Sequence, residues 1–169
     1  LLNYLEESGF EVRAVGKIED IFCFSGITES VHTHGNMEGI EQTMEWLKDD
    51  FEGLLFTNLV DFDMLYGHRN NIEGYAKALM EFDSSLPDIL SLLKNDDILI
   101  ITADHGCDPS TASTDHSREY VPLIVAGPNI KKGVNLHVRN SFTDVAKTVA
   151  GYFGVENEIC GESFLREIL

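Results

Sequence analysis

The sequence predicts an α/β fold, with helices layered on a largely parallel sheet. Short apolar runs alternate along the chain with amphipathic stretches, a pattern typical of strands joined by crossover helices. Two of the runs, residues 97–103 and 121–126, are apolar over most of their length, as expected for strands covered on both faces. With 169 residues, the chain is long enough for one globular domain with a substantial core.

Four strands and four helices are predicted in chain order. The strands are residues 10–15, 53–60, 97–103 and 121–126, and the helices are residues 1–8, 36–50, 71–94 and 141–153. Met37, Ile40 and Met44 recur at steps of three and four residues, so they share one face of the second helix. Pro87 is expected to bend or break the third helix. Residues 27–37 and 105–120 are predicted loops, since they are rich in polar residues and glycine.

Charge and composition exclude several kinds of partner. The formal net charge of −17 argues against nucleic acid and against an anionic membrane surface, because both require clustered Lys and Arg. A phosphorylated substrate stays possible if metal ions supply positive charge locally. Three cysteines without motif spacing predict no disulfide framework, and we expect a reducing, cytoplasmic location.

Aspartate and histidine follow two of the predicted strands. Asp104 and His105 end one apolar run, and His116 follows eleven residues after His105. Asp63 and His68 come after the apolar run at residues 54–60. Carboxylate with imidazole suits a divalent metal of the zinc or manganese type. Because ligands bind at the carboxyl ends of parallel strands, we expect the two clusters to form one metal site. The alternative is that these side chains are polar surface groups and turn caps.

The same residues carry a resemblance to a known family. The run Thr102-Ala-Asp-His-Gly106 and the run Thr114-Asp-His-Ser-Arg-Glu-Tyr-Val-Pro122 resemble phosphopentomutases, which belong to the alkaline phosphatase superfamily. The segments Asn58–Asp63, Tyr66–Arg69 and Gly16–Phe22 are also similar to that family. The similarity extends from about Gly16 to the end of the chain. The second run is specific to the family, whereas Ala-Asp-His-Gly is shared across the superfamily.

The resemblance implies a role for each candidate residue. Asp63, His68 and His116 are expected to bind one Mn²⁺, and Asp104 and His105 a second. Lys17 stands where the family has a lysine facing the substrate phosphate, although a plain surface position is the alternative.

The resemblance also implies that this chain is part of a longer core. The family's nucleophilic threonine, an aspartate near its start and its cap domain have no match here. We therefore expect residues 1–169 to be the carboxyl-terminal portion of an alkaline-phosphatase-like, two-metal phosphotransferase core, inactive by itself.

The activity implied by the resemblance is the interconversion of ribose 1-phosphate and ribose 5-phosphate, or of the deoxyribose pair. The phosphate passes through a threonine outside this chain, and a pentose bisphosphate is the intermediate. The resemblance leaves oligomeric state and sugar preference open. Two alternatives remain: cofactor-independent phosphoglycerate mutase or another phosphatase of the superfamily, and a non-catalytic acidic module that binds metal for structure.

Overall fold

All 169 residues are described by the structure, which is a computed structural model. The elements in chain order are α1 (Leu2–Glu7), β1 (Glu11–Val15), α2 (Ile18–Ile21), β2 (Glu29–Val31), α3 (Asn36–Leu47), β3 (Gly53–Thr57), a π-helical turn (Phe62–Tyr66), a 3-10 turn (Gly67–Arg69), α4 (Ile72–Leu92), β4 (Leu99–Thr102), β5 (Leu123–Ala126), α5 (Thr143–Tyr152) and α6 (Leu165–Ile168). No helix is both long and apolar enough to cross a membrane.

A parallel three-stranded sheet confirms the predicted α/β fold. Its strand order is β2-β1-β3, and Val15 at the end of β1 is opposite Thr57 at the end of β3. The central strand β1 is the most buried, with Val12 and Val15 fully inaccessible. Strand β2 lies in the segment that was predicted to be a loop. It has only three residues, and Glu29 and Ser30 are exposed, so it lacks the apolar pattern of a strand.

Strands β4 and β5 form a separate pair that runs antiparallel. A parallel pair needs a crossover connection, which is usually a helix. The connection between β4 and β5, residues 103–122, contains no helix, and the chain returns in the opposite direction. The apolar runs predicted strands covered on both faces. Instead, no residue of either strand is fully buried, and Ile124 is 54% exposed. Leu123 and Val125 pack on the core formed with Phe164 and Ile168, so only one face is covered.

The four predicted helices are present, and helix α4 continues through Pro87. A bend or a break was predicted at Pro87, and the break does not occur because this part of the helix faces solvent. Proline leaves the carbonyl group of Asp83 without its backbone donor. Both Asp83 and Pro87 are exposed, so water can reach that carbonyl group. The four-residue helices α2 and α6 were not predicted, because they are too short to show a helical period.

Strand β1 also buries a charged residue, Arg13, which is 9% exposed. Its Nη1 donates to Asp49 Oδ2 at 2.6 Å and its Nε donates to Glu11 Oε2 at 2.9 Å. The guanidinium carbon lies 4.3 Å from the ring centroid of Phe51. The buried charge is therefore paired and stacked, as a buried arginine requires.

Candidate metal centre

A widened helical turn after β3 brings Asp63 and His68 together. They are five positions apart in the chain, which is too far for one face of a regular α-helical turn. Residues Phe62–Tyr66 instead form a π-helical turn, in which the Gly67 N–H donates to the carbonyl group of Phe62, five residues earlier. Turns of this type are frequent at functional sites, and this one allows both side chains to face the same point.

His116 completes the cluster from the long loop between β4 and β5. Its Nε2 lies 3.2 Å from Asp63 Oδ1, and Nε2 of His68 lies 3.3 Å from the same oxygen. One ligand atom from each of the three residues lies within 4.8 Å of the others. All three side chains are between one third and one half exposed, so an ion could enter from solvent.

The hydrogen bonds fix which nitrogen of His68 faces the cluster. Its Nδ1 is 2.6 Å from the carbonyl oxygen of Thr114. Since a carbonyl oxygen can only accept, Nδ1 carries a proton, and Nε2 is the nitrogen directed at Asp63 Oδ1. A carbonyl partner of this kind commonly orients a metal-binding histidine.

Asp63 Oδ1 is buried and has no hydrogen-bond donor, although two imidazole nitrogens lie close to it. Neither imidazole reaches this oxygen with the geometry of a hydrogen bond. A buried carboxylate oxygen in this position is costly unless a cation compensates it. Imidazole nitrogen with carboxylate oxygen is a suitable ligand set for zinc, manganese or iron. The residues present therefore fit a divalent metal ion.

The second predicted pair, Asp104 and His105, follows β4 and lies beside the first cluster. The His105 ring stacks on the His116 ring, with centroids 3.6 Å apart and an interplanar angle of 18°. Nδ1 of His105 is 3.1 Å from the carbonyl oxygen of Gly106. Since that oxygen can only accept, Nδ1 is the donor, and Nε2 is the nitrogen available to a metal ion. That nitrogen is 3.6 Å from Asp104 Oδ1. The Asp104 side chain is 71% exposed and lies outside the compact three-residue group.

Cys107, in the loop after β4, packs against Gly67. A methyl group added at Gly67 would overlap its Sγ, so the thiol rests directly on the turn that carries His68. Burial, followed by the charge of nearby Asp63, raises the pKa of Cys107. The residue therefore stays a neutral thiol and packs as a small apolar group. All three cysteines of the chain are free.

Lys17 lies at the end of β1, next to the same turn. Gly16 precedes it with φ of +83°, and a Cβ at this glycine would come within 2.5 Å of the carbonyl oxygen of Asn58. Glycine is therefore required at this position for conformation and for space. Nζ of Lys17 is 2.8 Å from Sδ of Met64, the residue after Asp63, and forms no salt bridge. An unpaired positive charge thus lies close to the cluster.

The remaining histidines, His32, His34 and His137, are not members of the three-residue group, and the sequence assigned none of them to it. His32 pairs with Glu19, with Nε2 to Oε1 at 2.6 Å. The contribution of Thr114 was not predicted, because it acts through its carbonyl oxygen and any residue type supplies one.

The geometry of the three-residue group is suitable for a metal ion, and comparison with known families agrees with this. The sequence pattern of the Metalloenzyme superfamily matches residues 8–157, and the chain belongs to that superfamily.

Curated relatives of this chain within the superfamily are phosphopentomutases. Over all 169 residues, the chain is 66% identical to a phosphopentomutase of Acetivibrio thermocellus and 59% identical to one of Lachnoclostridium phytofermentans. It is 58% identical over 168 residues to a phosphopentomutase of Caldanaerobacter subterraneus. The chain spans 44%, 43% and 43% of the lengths of these relatives, respectively.

Proposed function

We propose that the protein carrying this chain is a phosphopentomutase, which interconverts ribose 1-phosphate and ribose 5-phosphate and also acts on the deoxyribose pair. The observation that supports the proposal is the convergence of Asp63, His68 and His116 on one point. It occurs in a chain that aligns over its whole length with relatives named phosphopentomutase.

We assign the candidate ligands to two Mn²⁺ ions. Asp63, His68 and His116 hold the first, and Asp104 and His105 contribute to the second. Two bound divalent ions would supply positive charge to neutralise the transferring phosphoryl group and both ends of an in-line displacement. The stacked rings of His105 and His116 keep the two ligand groups adjacent.

The protein's own residues orient these ligands and the substrate. The carbonyl group of Thr114 holds the His68 ring with Nε2 towards Asp63. We assign Lys17 to the substrate phosphate, because its ammonium group is unpaired and lies beside Met64 in the same turn. We assign the nucleophile to a threonine outside residues 1–169, so none of the residues described here is proposed to attack phosphorus.

We also propose a cytoplasmic protein that acts on a small phosphorylated sugar and binds neither nucleic acid nor membrane. The formal charge of −17 disfavours both of those surfaces. Three free cysteines are compatible with a reducing compartment.

The test is a coupled assay on the natural protein that carries this chain, following ribose 1-phosphate conversion to ribose 5-phosphate with and without Mn²⁺. Three proteins are compared: the unmodified protein, Asp104→Asn, and Asp83→Asn as a control at an exposed carboxylate on α4. We expect Mn²⁺-dependent activity that Asp104→Asn abolishes and Asp83→Asn preserves. Turnover of phosphoglycerate instead of pentose phosphate would show that the protein is a cofactor-independent phosphoglycerate mutase. Absence of turnover on both substrates would contradict an enzymatic role and favour a metal-binding module.

A further inference from the structure

We infer that Asn36 and Asp61 act as a positioning pair that holds the turn carrying Asp63 in its metal-binding geometry. The inference deepens the proposed function, since it rests on the metal site assigned to Asp63, His68 and His116. Neither residue belongs to the cluster itself. Both lie at junctions, Asn36 as the first residue of α3 and Asp61 directly before the π-helical turn.

Two reciprocal hydrogen bonds join these residues. The Asn36 backbone N–H donates to Asp61 Oδ2 at 2.7 Å. The Asp61 backbone N–H donates in return to Asn36 Oδ1 at 2.9 Å. Each side chain thus satisfies the backbone donor of the other residue, although 25 positions separate them in the chain. Asn36 is only 6% exposed, so water competes poorly for these bonds.

The packing around the carboxylate leaves it little freedom. A Cβ at Gly35 would lie 2.9 Å from Asp61 Oδ2 and 3.4 Å from Asp61 Oδ1, so the carboxylate rests directly on the backbone at Gly35. The carboxylate also lies at the amino terminus of α3, where the helix dipole favours negative charge. The position of Asp61 is therefore fixed by steric contact with Gly35, by the hydrogen bond from Asn36 and by the dipole of α3.

This pair anchors the segment that leads from β3 to the cluster. Asn58 is fixed to β1 by its N–H, which donates to the carbonyl group of Val15 at 3.0 Å. The next hydrogen bond from this segment to another element is the one at Asp61. Asp63 follows two residues later, and its Oδ1 is the atom shared by both histidines. Movement of Asp61 would consequently displace the oxygen on which the cluster depends.

The experiment measures Mn²⁺ affinity of the natural protein by electron paramagnetic resonance titration, so that no substrate turnover is needed. Asp61→Ala removes the acceptor, and Asp61→Asn keeps an acceptor oxygen of the same shape. Asn36→Ala breaks the pair from its other side and leaves the Asp61 N–H without an acceptor. Ile40→Val is the control, because it weakens the packing of the fully buried Ile40 in α3 without touching the pair. Circular dichroism establishes that each variant is folded.

We expect Asp61→Ala to weaken Mn²⁺ binding about 10- to 100-fold, as for other residues that orient ligands. Asn36→Ala should weaken it in the same direction. Asp61→Asn should stay within about threefold of the unmodified protein, because its amide oxygen still accepts the bond. Ile40→Val should lower thermal stability and leave the affinity unchanged.

Equal affinities in Asp61→Ala and the unmodified protein would overturn the inference, as would an equal loss in Ile40→Val. Failure of the unmodified protein to bind Mn²⁺ would overturn it too. Tight Mn²⁺ binding that depends on the pair, without pentose phosphate turnover, would support the inference while refuting the proposed activity.

Discussion

Substitution of Gly67 by alanine tests the packing between the turn that carries His68 and the loop that carries Cys107. Gly67 is buried, and an added Cβ would overlap Cys107 Sγ and lie 3.0 Å from the carbonyl oxygen of Phe62. Its φ of −61° is one that alanine adopts without strain, so the effect is steric. The turn with His68 and the loop with Cys107 must separate to admit the methyl group.

The expected cost follows from two opposing contributions to the free energy of unfolding. Overpacking of a tight site costs about 1–3 kcal/mol. Alanine recovers about 0.4–1 kcal/mol, because it reduces the conformational entropy of the unfolded chain. Gly67→Ala should therefore lower the free energy of unfolding by about 1.3 kcal/mol, within a range of about 0–2.6 kcal/mol. It should also weaken Mn²⁺ binding, because residue 67 directly precedes His68.

A double-mutant cycle with Cys107→Ala isolates the contact. The shorter side chain removes Sγ, so the added methyl group then fills the space that the thiol leaves. Urea denaturation of the four metal-free proteins should give a coupling energy of about 1–2 kcal/mol between the two positions. If Gly67→Ala costs the same in both backgrounds, the contact with Cys107 does not limit this site and the steric reasoning is refuted.

Three further substitutions test features away from the cluster. Phe24 has φ of +61° and is 67% exposed, so Phe24→Gly should relieve backbone strain and raise the free energy of unfolding by about 0.5–1 kcal/mol in urea denaturation; a loss would contradict the strain argument. Asn71→Ala removes the side-chain oxygen that accepts from the Gly74 N–H at the start of α4 and should cost about 1 kcal/mol, whereas Asn71→Asp should restore most of it; equal costs would exclude a capping role. The N–H of Glu162, assisted by Arg139, lowers the pKa of Asp144. The charged form is therefore the one stabilised by folding, so the advantage of the unmodified protein over Asp144→Asn should be full at pH 7 and shrink below about pH 4. If the urea midpoint of the unmodified protein exceeds that of Asp144→Asn by the same amount at pH 7 and at pH 2.5, the charge of Asp144 does not stabilise the fold.

The sequence predicts four of the six α-helices and four of the five strands, because their patterns are local. The α3 face with Ile40 and the apolar run of β3 need no knowledge of distant residues. Strand pairing is different. The apolar run of β4 gives no indication that its partner is antiparallel, since direction depends on the path of residues 103–122. The helix over residues 71–94 was predicted, but its continuity through Pro87 was not, because the tolerance of a helical proline depends on its exposure to solvent.

The candidate site also has a part that the sequence predicts and a part that depends on the folded chain. The residue types that follow the strands predicted roles for Asp63 and His105, and the structure places both side chains next to His116. The elements that orient the ligands are not visible in the sequence. Thr114 contributes a carbonyl group to a histidine 46 residues away. The pairing of Asn36 with Asp61 likewise exists only after the chain has folded.

The ligand assignment is tested most directly by anomalous diffraction at the manganese absorption edge, on crystals of the natural protein grown with Mn²⁺. The account predicts two peaks, one among Asp63 Oδ1, His68 Nε2 and His116 Nε2, and a second against Asp104 and His105. The first peak should vanish in crystals of Asp63→Asn. Manganese bound elsewhere, or absent from both positions in crystals of the active protein, would contradict the central claim that these five residues form its metal centre.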